Sequence, residues 1–312
     1  MIRYLKISLF LFLLQVNLSG QVTADMSVLS KGKWFRIAVT EDGIYRIDFS
    51  KLRQLGLENP SNPSIYGNNS GQLSYKNDAA KPDDLKELSI YISGDDPQLS
   101  EGEYLLFFAK GTGRWIYNDI TGEFDYLRHN YSDTAFYFIT SGSSPGKKIF
   151  QAETFSLSPT YFSSESDALF IHEEDEENLI KSGREWFQRI SSINIDPGFT
   201  DILVSEKVKY NIRVAARSSV PTVFRLYEGT LPRKNIQVPA VNLFDNTGTF
   251  AAITDSAGII ETESASPVYE FSFINNGETG AHGWLDYLIL KARRSNIFTG
   301  KTEQYFDSKS VS

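Results

Sequence analysis

The residues with the most chemical promise are a serine in a glycine frame, three histidines and a run of acids. Gly142-Ser-Ser-Pro-Gly146 matches G-x-S-x-G, the frame that holds a nucleophilic serine on a sharp turn between a strand and a helix. A strand precedes it, but Lys147-Lys-Ile-Phe150 reads as another strand and Pro145 stiffens a turn. The helix that a nucleophile elbow needs is missing, so the motif reads as a turn. His129, His172 and His282 have no other His and no Cys at ligand spacing, and each reads as a surface or packing residue. His172 beside Glu173 makes a mild local charge pair. The acidic run Glu173–Glu177 has the charge to attract calcium but lacks the Asp-x-Asp-x-Asp-Gly spacing that wraps a loop round the ion. It reads as a solvated linker. Asp83-Asp84 and Asp95-Asp96 read as turn residues, and Gly111-Thr-Gly113 as a bend, because no helix follows whose N-terminus could hold a phosphate. Trp115, Tyr117 and Tyr126 have faces that could stack on sugars, although cross-strand packing is the commoner fate of such rings. No catalytic, cofactor-binding or metal-ligating residue is assigned.

The elements around these residues are strands. The organising stretch is Lys33–Leu57: Phe35, Ile37 and Val39 alternate with Trp34, Arg36 and Ala38, the period of two of a pleated strand. Thr40-Glu-Asp-Gly43 reads as a hairpin turn with Gly43 at positive φ, and Tyr45, Ile47 and Phe49 line one face of the returning strand. Ser50 is expected to cap a short helix with Leu52 and Leu55 on one side, ended by a left-handed Gly56 with Leu57 folded back. Further strands are expected at Ile65-Tyr66, Leu85–Ser93, Glu103–Ala109, Trp115–Asn118, Phe124–Leu127 and Ala135–Thr140. Glu103–Ala109 is apolar on both faces and reads as buried and central. Residues 151–190 read as a connector with a little local helix and an extended Phe155–Phe162. Beyond it, Val204–Arg217 alternates cleanly, Val223–Tyr227, Thr249–Thr254 and Val268–Ile274 follow, and Trp284–Leu290 closes the block as a strand apolar on both faces. The fold class is all-β: two antiparallel β-sandwich or jelly-roll-like domains joined by a short connector. The expected divisions are 1–20, a signal peptide; 21–150, a β-sandwich; 151–190, the connector; 191–298, a jelly-roll-like domain; and 299–312, a loose tail.

Composition narrows the function. With 41% hydrophobic and 22% charged residues the chain is globular, and 16 Tyr and 22 Phe against 2 Met suit sheets. A net charge of −8 without a basic cluster makes nucleic acid a poor partner. The absence of Cys rules out disulfides, thiolate metal sites and a cysteine nucleophile within these 312 residues. Arg3 and Lys6 precede the apolar run Ile7–Val16, and Asn17-Leu-Ser-Gly20 follows, the pattern of a secretory signal. No Cys follows Gly20, so no lipoprotein anchor is expected, and no later segment is apolar enough to cross a bilayer.

Several motifs, in order, resemble a known family. Ser27-Val-Leu-Ser-Lys-Gly-Lys-Trp34, Thr40-Glu-Asp-Gly-Ile-Tyr45 and Leu52-x-x-Leu-Gly56 come first. Ile65-Tyr-Gly67 with Gly71, Tyr104–Ala109, and Tyr131-Ser-Asp133 follow, then His172-Glu-Glu-Asp and Asn178-Leu-x-x-Ser-Gly-Arg-Glu-Trp-Phe187. Gly283-Trp-Leu-Asp-Tyr287 with Arg293-Arg294 closes the series. The whole resembles the N-terminal region of the PorU family, the type IX secretion system sortases of Bacteroidetes, which are gingipain-type cysteine peptidases. The resemblance implies export to the periplasm, outer membrane or cell surface. It also implies a downstream peptidase domain with a Cys nucleophile and a His, which cuts C-terminal sorting domains from cargo and attaches the cargo to a lipopolysaccharide anchor. The expected partners are that peptidase domain, other type IX secretion components, cargo sorting domains and glycan or lipopolysaccharide. No cofactor is implied, and no catalytic residue carries over, because the chain has no Cys. The expected role of this chain is therefore scaffold or docking rather than enzyme; the alternative is a free-standing exported β-sandwich that binds glycan.

Overall fold

The two strands of the opening stretch form, but they do not pair with each other. In the computed structural model, which describes residues 24–311 apart from 58, 59, 70, 151, 153–157, 159, 160, 182, 184, 246, 299 and 301–303, β1 (Phe35–Val39) and β2 (Gly43–Asp48) enter different sheets. The signal segment 1–20 and most of the extended Phe155–Phe162 stretch lie outside the described residues. The chain divides into two compact units, Met1–Arg114 with Ser132–Ala152, and Trp115–Tyr131 with Glu153–Ser312.

In the first unit β1 pairs with β9 (Ala135–Ser141), which also pairs with β3 (Pro63–Gly67), and β3 pairs with β4 (Lys86–Leu88). β2 instead pairs with β6 (Tyr104–Ala109), whose other neighbour is β5 (Ile90–Ile92). The expected hairpin is thus a corner that carries the chain from one sheet to the other, as sandwiches require. Gly43 accordingly has no positive φ. The expected single strand Leu85–Ser93 makes a similar switch: β4 and β5 flank Ser89 and lie in different sheets.

The alternation read from the sequence still fixes which side chains face inward. Val39, Leu52, Ile65, Ile90, Leu105, Phe107, Tyr137 and Ile139 form one core, with Phe35, Ile37, Tyr45, Ile47 and Phe49 packed on it. Each such apolar side chain contributes roughly 1.5–3 kcal/mol on burial. β6 is central but wet on one face, since Phe108 is 44% exposed. Helix α1 (Phe49–Leu55) starts two residues early, with Asp48 rather than Ser50 at its N-cap, and buries Leu52 while Leu55 stays exposed. Gly56 ends it in the left-handed region, and the Leu57 N–H donates to the Leu52 carbonyl at 3.1 Å.

The second unit is a jelly roll. β10 (Glu165–Glu173) and β11 (Gln188–Ile190) share one edge of the fourteen-residue β18 (His282–Ser295). The other edge of β18 pairs with β13 (Val208–Arg217), and β13 with β16 (Ala252–Ile260). The facing sheet runs β12 (Ser192–Ile195), β17 (Tyr269–Ile274), β14 (Thr222–Glu228), β15 (Leu231–Val238). From β11 to β18 successive strands cross between these sheets, apart from the β14–β15 pair, in the double Greek-key order of a jelly roll. Ile212, Val214, Phe224, Leu226, Phe271, Leu285, Leu288 and Leu290 fill the space between the sheets.

Four sequence-based expectations need correction here. Residues 165–173, expected in a connector, form a nine-residue strand, and no helix occurs among the described residues of 151–190. β15 forms where no strand is expected, because Pro232, Arg233, Lys234 and Asn235 mask its alternation. The tail is pinned rather than loose: Phe306 bridges Asp167, the Arg293 Nη1 donates to Asp307 at 3.0 Å, and a short α2 (Ser308–Val311) follows. The fourth concerns β7 (Arg114–Asn118) and β8 (Glu123–Leu127), which form the expected hairpin, with Gly122 left-handed at φ 68°. From Trp115 onward this hairpin belongs to the second unit, not to the block in which the sequence places it.

Candidate functional site

The most concentrated chemistry lies where hairpin β7–β8 meets the outer face of the β10-β18-β13-β16 sheet. It begins with a bulge. β13 and β18 keep register from Lys209↔Lys291 to Arg213↔Tyr287, then shift to Val214↔Leu285, so Asp286 is the extra residue of β18. Leu285 and Leu288 both point into the core, which leaves Asp286 and Tyr287 together on the outer face. The Asp286 side chain is only 4% exposed. A buried carboxylate needs a cation, and two reach it: Arg128 Nη1 at 2.8 Å and Arg213 Nε at 3.2 Å.

Arg128, just beyond β8, is the hub. Its guanidinium also pairs with Glu173 at the end of β10 and with Asp175 at 2.8 Å. Arg213 reaches Glu185 at 2.7 Å and Asp255 at 3.4 Å. Along the hairpin, Glu123 pairs with Lys209 and with Lys291 at 3.4 Å, and Lys291 reaches Asp125 at 3.1 Å. Glu123, Asp125 and Arg128 thus clamp the hairpin onto the sheet. A cavity of about 400 Å³ remains beside the clamp, lined by Asp125, Arg128, Ile171, Glu173, Tyr287 and Ile289 among others.

The electrostatics follow from burial. Glu173 is pushed up to about 7, because desolvation outweighs the pull of Arg128, and Asp175 and Asp286 add to the rise. Asp286 is raised for the same first reason, against Arg128 and Arg213. Burial alone would lower the Arg128 guanidinium, but Glu173, Asp286 and Asp175 together raise it. Paired carboxylates with raised pKa values are a recurrent feature of acid–base sites. Here the guanidinium of Arg128 sits among Glu173, Asp175 and Asp286, in the place a bound cation would take. Among the described residues no group of three or more His, Cys, Asp or Glu has the geometry to hold a metal ion. What this arrangement does chemically is hold an inserted hairpin by charge.

The residues singled out by sequence fall elsewhere or take other roles. Ser143 and Ser144 are exposed on a bend, and no helix follows Gly146. His172 Nε2 bonds Gln188 Oε1 at 2.8 Å, and His282 Nδ1 accepts from Arg189 Nη2 at 2.7 Å. The His129 ring accepts from the Tyr131 N–H at 3.2 Å, and burial lowers its pKa. The acidic run is not a solvated linker. Glu173 and Asp175 meet Arg128, while Glu177 accepts from Trp284 Nε1 at 2.8 Å and exchanges backbone hydrogen bonds with Phe187. Gly111 of the Gly-Thr-Gly bend donates to Asp42 Oδ1 at 2.8 Å. Asp84 accepts from the Val28 N–H at 2.6 Å and from Ser27 at 3.0 Å. Trp115 packs edge-on against Tyr126 at 5.1 Å, and Tyr117 against Phe124 at 5.5 Å, so these rings pack edge-to-face on one another across the hairpin. Arg128, Arg213 and Asp286 carry the clamp, and neither arginine stands out in the sequence. Asp286 carried a signal, a lone acid inside the apolar run Gly283–Leu290, which demands a partner but does not name one.

No family model matches this chain, and no curated protein does. Among solved structures, the crystal structure of dimeric latent PorU from Porphyromonas gingivalis is similar with a TM-score of 0.69 at 17% identity, over 92% of this chain and 26% of that one. This chain therefore spans about a quarter of the length of that protein. The infectious bursal disease virus VP2 subviral particle aligns at 10% identity over 91% of this chain and 80% of that one, but a TM-score of 0.21 carries no argument. The likeness at 0.69 shows the fold: an all-β, PorU-like arrangement. No helix among the described residues is long and apolar enough to cross a membrane.

Proposed function

We propose that this chain is the non-catalytic β region of a type IX secretion sortase, exported through its N-terminal segment and serving to carry and position a gingipain-type peptidase domain. The observation that carries this reading is the fold likeness to latent PorU over 92% of the chain, joined to the ordered motifs from Gly32–Tyr45 to Gly283–Tyr287. The chemistry of the described residues supports it: the densest set of charges is consumed in clamping a hairpin, and the G-x-S-x-G serine sits exposed on a bend without the helix an elbow requires. In this role the peptidase domain removes C-terminal sorting domains from cargo and attaches the cargo to lipopolysaccharide, while the jelly roll and the sandwich offer docking surfaces at the outer membrane.

The test is to co-express the chain with a gingipain-type peptidase domain from the same genome and to measure co-purification and cleavage of a cargo sorting domain. Stable association, with cleavage only when the peptidase domain is present, is the expected result. Hydrolysis of a peptide or ester by the purified chain alone would overturn the non-catalytic reading. Absence of association together with saturable binding on a glycan array would favour an exported glycan-binding module instead.

A further inference from the structure

Sheet edges are normally protected, because a row of unpaired N–H and C=O groups invites another strand. Most edges of this protein carry such protection among the described residues. β4, β5 and β11 have three residues each and β12 has four. β1 carries Arg36, β2 carries Arg46 and Asp48, and β15 carries Pro232, Arg233 and Lys234. β10 is bridged by Phe306.

β16 differs. Its nine residues, Ala252-Ile-Thr-Asp-Ser-Ala-Gly-Ile-Ile260, pair with β13 on one side, and no strand among the described residues pairs with the other. The run contains no Pro, Lys or Arg, and its ladder with β13 is unbroken from Val208↔Ile260 to Ala216↔Ala252. Ile253 and Ile259 are 42% and 55% exposed, and Ala257 and Gly258 are exposed as well. Beside Ile253 opens an apolar recess of about 290 Å³ lined by Leu179, Phe187, Phe250 and Ala251. The strand is acidic along its length, with Asp255 within it and Glu261 and Glu263 beyond its far end, and at the recess Arg217 lies over the Phe250 ring at 4.5 Å while Glu185 lines the wall. Each of these acids has a cation in reach, but the cations are shared: Arg213 serves Asp255, Glu185 and Asp286, and Arg233 serves Glu228 and Glu263, while Lys207 pairs with Glu261, so the acids outnumber them.

We infer that β16 is a docking edge for an extended segment of a different polypeptide, which adds to the sheet as a further antiparallel strand. An extended backbone is the ligand that satisfies a row of strand N–H and C=O groups. Ile253 and Asp255 lie two residues apart on the same face, so the added strand places a bulky apolar side chain beside Ile253 and the recess, and a Lys or Arg level with Asp255. In antiparallel register the partner reads basic-x-apolar. Charge complementarity selects such a segment over a second copy of this chain, which would bring the same acids and the same net charge of −8. The inference stands on the edge and the recess and does not depend on the sortase reading.

The test uses the purified full chain and a capped peptide the length of β16, in which threonine alternates with valine, lysine and phenylalanine and the lysine precedes the phenylalanine by two positions. Calorimetry is expected to show saturable binding. N-methylation of alternate peptide nitrogens, which blocks strand pairing and keeps every side chain, should weaken it by at least about tenfold. Ala257→Lys on the exposed edge should weaken it similarly, and Ala257→Glu should not, which separates charge from misfolding. Equal binding of the N-methylated peptide, or equal binding by Ala257→Lys, would overturn the strand-addition proposal. So would failure of the peptide to bind while sedimentation shows self-association that Ala257→Lys abolishes, since the occupant would then be a second copy.

Discussion

Asp286 Oδ1 accepts from Arg128 Nη1 at 2.8 Å across 158 positions of sequence. A bulge in β18 turns the carboxylate outward, and the hairpin β7–β8 brings the guanidinium to it. The hairpin is thereby a structural part of the second unit although the first unit resumes immediately after it, at Ser132.

Arg128→Ala should therefore unlock the hairpin. It leaves Glu173 and Asp286 without their shared cation, and removing one partner of a buried pair costs about 3–5 kcal/mol. Chemical denaturation should show the loss, and hydrogen exchange should show it concentrated at residues 115–131 and in β10. Unchanged protection in the hairpin would mean that its aromatic packing, not its charge, holds it.

Glu173 gives the clamp a pH dependence of defined sign. Its folded value of about 7 lies above the ordinary 4.5, so the folded state holds a proton that the unfolded state has released between those limits. Stability should rise as pH falls from 7 towards 4.5, by up to about 3 kcal/mol, and the full cost of burying the charge is present above 7. Asp286 is shifted in the same direction. Melting temperatures between pH 5 and 8 should slope for the native chain and flatten for Glu173→Gln; equal slopes would remove Glu173 as the cause.

The G-x-S-x-G frame separates packing from catalysis. A Cβ on Gly146 would lie 2.4 Å from the Pro63 carbonyl oxygen, so Gly146→Ala should destabilise the first unit by about 1–3 kcal/mol. Ser144→Ala removes an exposed hydroxyl and should leave the melting temperature unchanged. Differential scanning calorimetry of the two variants tests both halves.

The pinned tail makes a fourth prediction. Arg293 Nη1 donates to Asp167 at 2.9 Å and to Asp307 at 3.0 Å from a nearly buried position. Asp307→Ala should cost about 1–3 kcal/mol and raise the protease sensitivity of residues 304–311. Resistance equal to that of the native chain would show that the Phe306 bridge suffices.

The amino-acid sequence alone determined the all-β class, the inward faces of β1, β2, β13 and β17, and the C-terminal stop of α1 at Gly56. Each of these is decided locally, by period-two alternation or by the left-handed freedom of one glycine. Tertiary structure decided which strands pair. β1 and β2 sit three residues apart and yet join opposite sheets, because backbone hydrogen bonds carry no record of their partner. It also decided the clamp. Glu123, Arg128, Glu173 and Arg213 read as ordinary exposed charges, and Asp286 as a lone acid in an apolar run with no named partner, until the fold brings them together across the sheet, and burial then converts weak surface pairs into interactions whose loss the protein must register.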